Sequence, residues 1–187
     1  MPATWRRPMP PALPRREALA GIGGALGLGA GLGVLRPGAL MAAPAGRAPD
    51  PDDLAAGRAD FDARFAAFRA GAGLPRVARD PALEAAAQGH AMTLAGQGLI
   101  DHVGHDGSSV GDRARDAGYA WCWVAENLTL NWRGADQVLA AWRGSPGHHA
   151  NMVSPQAADY GVGFAYVMSG AWRDAPVWVW VAGQRCG

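Results

Sequence analysis

The feature that most constrains the fold is a change of pattern along the chain. Apolar residues recur at helical spacing in the first half, whereas runs rich in aromatic and β-branched residues lie mostly in the second half. Helices that precede a group of strands are typical of an α+β domain with an antiparallel sheet, and alternating βαβ units are not expected. The 187 residues are enough for one such domain with a sizeable core.

The predicted elements can be placed approximately. The predicted helices are residues 54–71, 80–98, 110–117 and 136–143, and the predicted strands are residues 121–131, 160–168 and 177–182. Residues 46–53, rich in Pro and Asp, form a predicted linker that also supplies the start of the first helix. The domain itself is predicted to span residues 54–187.

Residues 1–45 are interpreted as an export signal. Arg15 and Arg16 precede a run without charge from Ala18 to Leu35, and a stretch of small residues follows at 42–45. This arrangement resembles a twin-arginine signal, and the alternative is an ordinary secretory signal with an incidental arginine pair. We therefore expect a periplasmic or extracellular protein whose signal is cleaved near Ala45.

The balance of charge limits the partners of the mature chain. Residues 1–45 hold five of the 17 basic residues and one of the 16 acidic residues, so the rest of the chain is mildly acidic. Nucleic acids and anionic membranes require a basic face, and neither is expected as a main partner. Because no cysteine lies near the cleavage region, no stable membrane anchor is expected after the signal is removed.

Two cysteines, Cys122 and Cys186, both fall in the part of the chain that would be exported. A single disulfide between them is the natural prediction for an oxidising compartment. The alternative is two buried free thiols, because a twin-arginine substrate folds before it reaches that compartment.

Histidines are the main candidates for metal ligands or general bases, since no Ser, Cys or Thr lies in a recognisable nucleophile motif. Of the five, His90 falls within a predicted helix on an alanine-rich face and is interpreted as a packing residue. His105 is expected to be solvated. His149 follows His148 in a short helical segment, so their side chains should point about 100° apart.

His102, Glu126 and His148 differ from these because each falls at the edge of a predicted element, where a loop can present it to a cleft. Their separations match no short metal-binding signature such as His-Glu-x-x-His. Spacing alone therefore gives weak evidence for a shared site.

The order of landmarks between Phe61 and Gln184 resembles the CAP superfamily of cysteine-rich secretory, antigen five and pathogenesis-related proteins, in its bacterial form. The landmarks are Ala-Ala-Ala-Gln-Gly-His-Ala-Met at 85–92, His102, Arg113, Gly-Tyr at 118–119, Glu-Asn-Leu at 126–128, Ala-Ala-Trp at 140–142, Ser-Pro-Gly-His-His-Ala-Asn-Met at 145–152, Gly-Val-Gly at 161–163, Trp180 and Gln184.

The resemblance implies an α-β-α sandwich with a small antiparallel sheet and a central cleft that receives two histidines and two acids. His102 and His148 match the two histidines, and Glu126 matches the first acid. At the position of the second acid this chain carries Ser145, as bacterial relatives commonly do. The cleft residues are therefore expected to be His102, Glu126, Ser145 and His148, without a second carboxylate.

Two imidazoles and a carboxylate suit zinc or another divalent cation, with an open coordination position for water. His102 and His148 are the candidate metal ligands, and Glu126 either joins them or orients a histidine. The alternative is that these side chains form a structural hydrogen-bond cluster without metal.

Three functions are compatible with this site. The resemblance favours a non-enzymatic binding module whose cleft holds a lipid, glycan or protein. The second hypothesis is a metal-assisted, peptidase-like hydrolase with Glu126 as the catalytic base. The third is a purely structural envelope protein.

Overall fold

A computed structural model describes residues 46–186, and the predicted export signal lies outside the described residues. The helices are α1 (Pro51–Gly71), α2 (Pro81–Gln97), α3 (Val110–Asp116), α4 (Ala135–Arg143) and α5 (Pro146–Met152), with a 3-10 helix at Gly170–Trp172. The strands are β1 (Ala78–Arg79), β2 (Trp121–Leu130), β3 (Asp159–Tyr166) and β4 (Pro176–Arg185). Among the helices of residues 46–186, none is long and apolar enough to cross a membrane.

The four strands form one sheet in the order β1-β3-β4-β2. The three long strands pair antiparallel, which confirms the predicted α+β class and its antiparallel sheet. The structure adds β1, which pairs parallel to β3 through Ala78 and Arg79. The sheet is therefore mixed, because the short edge strand β1 runs parallel to its neighbour whereas the long strands pair antiparallel.

The sheet lies between two layers of helices, which confirms the expected α-β-α sandwich. Alternation along β4 builds both cores, since successive side chains of a strand point to opposite faces. Val177, Val179 and Val181 pack with α2 and α3, whereas Trp178 and Trp180 pack with α1 and α4.

Two glycines allow α2 to lie directly on β3. A Cβ at Gly161 would lie 2.1 Å from the backbone nitrogen of Glu84, and a Cβ at Gly163 would lie 2.5 Å from the Cα of Gln88. The backbones of strand and helix can approach so closely only where a side chain is missing. This contact fixes α2, and with it His90, against the sheet.

The predicted linker is partly folded. The helix begins at Pro51, with the carboxylate of Asp50 accepting hydrogen bonds from the first-turn backbone N–H groups. The N–H of Gly46 donates to the carbonyl of Met92 (2.8 Å), and Arg47 exchanges two backbone hydrogen bonds with Tyr166. The chain before α1 therefore packs against α2 and the end of β3.

The predicted disulfide is confirmed. Cys122 near the start of β2 is bonded to Cys186 just after β4, with their Cα atoms 4.9 Å apart. Neither thiol is free. The bond joins β2, at one edge of the sheet, to the end of its neighbour β4.

Candidate functional site

The centre of the site is the buried carboxylate of Glu126, on the face of β2 that packs against α2 and α3. Its side chain is 2% exposed. One oxygen, Oε1, lies 2.9 Å from Nδ1 of His102, and Oε2 accepts a hydrogen bond from Nη2 of Arg113 at 2.8 Å. Both oxygens are therefore engaged by neighbouring side chains.

This contact determines which nitrogen of His102 is available. An ionised carboxylate only accepts hydrogen bonds, so Nδ1 of His102 must carry the hydrogen. In the neutral ring the lone pair is then on Nε2, and the His102 side chain is 61% exposed. A carboxylate that orients an imidazole in this way is the usual support of a metal-binding histidine.

Arg113 of α3 connects the acid to the loop that carries His102. Its guanidinium also donates to the carbonyl of His102 (3.1 Å) and to the carbonyl of Ser108 (2.8 Å). In the sequence Arg113 served only as a landmark, and its role was missed. The role of Arg113 could have been predicted from Glu126, because a carboxylate in a predicted strand needs a cationic partner when it is buried.

His90 is buried beside this cluster, in keeping with a packing role. Its Nε2–H donates to the carbonyl of Asp101 (3.0 Å), the residue before His102, and lies 4.0 Å from Oε2 of Glu126. Burial lowers the pKa of His90, although the charge of Glu126 works in the opposite direction. A neutral His90 therefore holds the base of the His102 loop.

His148 lies on α5, with its ring 6.4 Å from that of Trp142. Burial lowers the pKa of His148, and His102 is close enough to lower it further. The backbone carbonyl of His148 accepts a hydrogen bond from Asn127 Nδ2 (3.0 Å). His148 thus lies close enough to His102 for the charges of the two rings to interact.

Two asparagines, which sequence reasoning also missed, attach α5 to β2. The Nδ2 group of Asn151 donates to Oδ1 of Asn127 (2.9 Å) and to the carbonyl of Glu126 (3.3 Å). Asn127 is fully buried. These bonds link the Glu-Asn-Leu segment to the His-His-Ala-Asn segment, so that Glu126 and His148 keep a fixed relative position.

The remaining candidates have other surroundings. Ser145 is the N-cap residue of α5, and its hydroxyl makes no capping hydrogen bond. The ring of His149 packs edge-on against Phe68 of α1 at 5.9 Å, so it faces a different neighbour from His148. His105 is exposed.

Within residues 46–186, no three His, Cys, Asp or Glu side chains come together with the geometry of a metal site. The chemistry available at the candidate site is that of two imidazoles, one of them oriented by Glu126. Elsewhere, a depression of about 610 Å³ borders α1 and α2. Its charged residues already pair with one another, as in the 2.6 Å contact between Arg58 and Glu84.

The fold and the site together define a class: an α-β-α sandwich in which a buried acid orients one histidine near a second. Residues 63–182 match the profile of the CAP family, described as the cysteine-rich secretory protein family. The chain belongs to this family.

A protein of Bacillus subtilis is similar to this chain in sequence. The chain is 28% identical over 99 residues to YkwD of Bacillus subtilis, a protein described as uncharacterized; the match covers 53% of this chain and 38% of the relative. The chain thus spans well under half of that relative's length.

Two solved structures share the fold. An outer surface protein of Borrelia burgdorferi has a TM-score of 0.65 at 20% identity, over 75% of this chain and 99% of that one. An extracellular protein of Bacillus anthracis that contains a SCP domain has a TM-score of 0.61 at 19% identity, over 73% of this chain and 44% of that one.

Proposed function

We propose that this protein is an exported binding module whose His102 and His148 hold a divalent metal ion such as zinc. The observation that carries the proposal is the contact between Nδ1 of His102 and Glu126, which leaves Nε2 of an exposed imidazole free. Burial lowers the pKa of the neighbouring His148 and so favours the neutral ring, which is the form that binds metal.

Such a site is suited to capturing a ligand. Two imidazoles suit zinc, and they leave coordination positions for water or for a group of a partner. A carboxylate, phosphate or hydroxyl of a lipid, glycan or protein can occupy such a position. The metal would then help the cleft to hold a ligand without chemical conversion.

The alternative, a metal-assisted hydrolase, is less well supported. It needs a carboxylate that can accept a proton from metal-bound water. Glu126 is 2% exposed and both its oxygens are engaged, and Ser145 stands where a second acid would be needed. Binding therefore fits this donor set better than hydrolysis.

Zinc titration by calorimetry tests the proposal. His102→Ala and His148→Ala should each lose most of the zinc affinity, because one histidine alone makes a poor site. His149→Ala is the matched control and should change little, since its ring packs against Phe68. Equal affinity in the wild type and in His148→Ala would reduce the group to a structural hydrogen-bond cluster.

The same titration has an expected pH dependence. Protons compete with zinc for the imidazole lone pair, so affinity should fall as the pH decreases below about 6.5, the ordinary histidine pKa. Because the pKa of His148 is lowered, this histidine should be protonated, and lost as a zinc ligand, only at a lower pH.

A peptide-cleavage assay separates the two functions. Zinc-dependent cleavage of a peptide panel that disappears in Glu126→Gln, with zinc affinity retained, would favour the hydrolase instead.

Export is part of the proposal. Its support is the Arg15-Arg16 pair before an uncharged run, together with relatives of the same fold that are described as outer surface and extracellular proteins.

A further inference from the structure

Six large hydrophobic side chains are exposed within residues 46–186. They are Leu99, Ile100, Val103, Trp132, Met168 and Trp172, each at least 40% exposed. All six lie in three connections between the long elements. Leu99, Ile100 and Val103 follow α2, Trp132 follows β2, and Met168 and Trp172 lie between β3 and β4.

These connections meet at one end of the sandwich. A Cβ at Gly98, which ends α2, would lie 3.7 Å from the side chain of Val167, just after β3. The N–H of Asn131, just after β2, donates to the carbonyl of Pro176 at the start of β4 (2.9 Å). Leu99, Ile100, Trp132, Met168 and Trp172 therefore lie in connections at the end of the sheet where β3 turns into β4, here called the apolar end. Val103 lies farther along the connection that follows α2.

The segment before α1 joins the domain at the same end. Arg47 pairs with Tyr166, the last residue of β3, and Gly46 bonds to Met92 near the C-terminus of α2. The uncharged run at 18–35 is separated from Gly46 by residues 36–45, which reach at most about 35 Å when extended. The first described residues of the chain therefore pack at the apolar end of the domain.

The side chains at the apolar end have the chemistry of a membrane interface. Each of the two exposed tryptophans is followed by an exposed arginine, Trp132 by Arg133 and Trp172 by Arg173. Tryptophan favours the headgroup level of a bilayer, and arginine can place its charge in the adjacent water or on lipid phosphates. The exposed apolar residues occupy separate connections, which suits shallow insertion.

We propose that the apolar end docks reversibly on the surface of a lipid bilayer, with Trp132 and Trp172 at the headgroup level. The mild acidity of the whole chain does not oppose this, because the contact depends on apolar insertion. Arg173 lies 3.7 Å from Asp174, so Arg133 is the arginine that can contact lipid phosphates without giving up a partner within residues 46–186. The docking places the other end of the sandwich, where α1 ends and β3 begins, away from the lipid.

The test uses the full chain with a single added cysteine that carries an environment-sensitive dye. Cys122 and Cys186 are bonded to each other and do not compete for the label. Met168→Cys places the dye at the apolar end, and Gln156→Cys, an exposed position just before β3, places it at the opposite end. Vesicles of phosphatidylcholine, with and without phosphatidylglycerol, carry a lipid-attached quencher.

We expect quenching and a blue shift for the dye at 168 and neither change for the dye at 156. Adding Trp132→Ser and Trp172→Ser should remove most of the change at 168. An equal response at both positions would show only tethering by the N-terminal run and would overturn the proposal. So would a shift at 168 that depends on protein concentration and not on vesicles, because the occupant would then be a second copy of this chain.

Discussion

At the scale of single residues, the site depends on the ion pair between Arg113 and Glu126. Removing one partner of a buried pair leaves an uncompensated charge, so Arg113→Ala should lower the free energy of unfolding by about 3 kcal/mol. Arg115→Ala is the matched control on the same helix, since its pair with Asp112 is more than half exposed and its guanidinium otherwise lies over the Trp121 ring. That change should lower stability by less than about 1 kcal/mol.

Urea unfolding of the two variants makes the comparison. In Arg113→Ala, adding Glu126→Gln should recover part of the lost stability, because the buried charge is then absent. Similar losses in Arg113→Ala and Arg115→Ala would mean that water already compensates Glu126.

Three residues of the candidate site could be proposed from the sequence, whereas their connections could not. Glu126 and His148 sit in short recognisable segments, and His102 was proposed from its place in the order of the family's landmarks. That Arg113 reaches Glu126 depends on how α3 packs against β2. The motif identifies the chemical groups, and the tertiary packing decides which hydrogen bonds they make.

At the scale of elements, the contact between α2 and β3 can be tested with glycine substitutions. Gly163→Ala should destabilise the fold by about 1–3 kcal/mol, because its Cβ would lie 2.5 Å from the Cα of Gln88 and the helix would have to move. Gly89→Ala is the control within α2 itself. An added Cβ there meets nothing within 4 Å, so this change should stabilise by about 0.5–1 kcal/mol.

Thermal and urea unfolding of both variants would show the opposite signs. If Gly163→Ala were as stable as the wild type, α2 could not rest on the strand as closely as described.

Helical periodicity and the aromatic and β-branched runs are enough to predict the long helices and the three long strands. Strand β1 could not be predicted in this way, because Ala78 and Arg79 are too few to show alternation. They are a strand only because the edge of β3 offers backbone partners. Short elements that depend on a neighbour leave no pattern of their own in the sequence.

At the scale of the whole molecule, the state of Cys122 and Cys186 can show in which compartment the chain is oxidised. If Arg15 and Arg16 direct export, replacing both with Lys should hold the precursor in the cytoplasm. Its two cysteines should then remain reactive in the reducing cytoplasm, whereas the exported wild type should show none. Alkylation of denatured, unreduced samples from each fraction, followed by mass measurement, makes the comparison. Unimpeded export of the lysine variant would indicate the general secretory route.

The attachment of Gly46 and Arg47 also restricts how a peptidase can reach the chain. Peptidases commonly bind their substrate as an extended strand whose backbone groups are free. Here Gly46 is buried and bonded to Met92, and both backbone groups of Arg47 are paired with Tyr166. If the chain is cleaved near Ala45, as the sequence predicts, cleavage has to precede the docking of this segment, or the segment has to detach first. Folding and maturation would then compete for the same few residues.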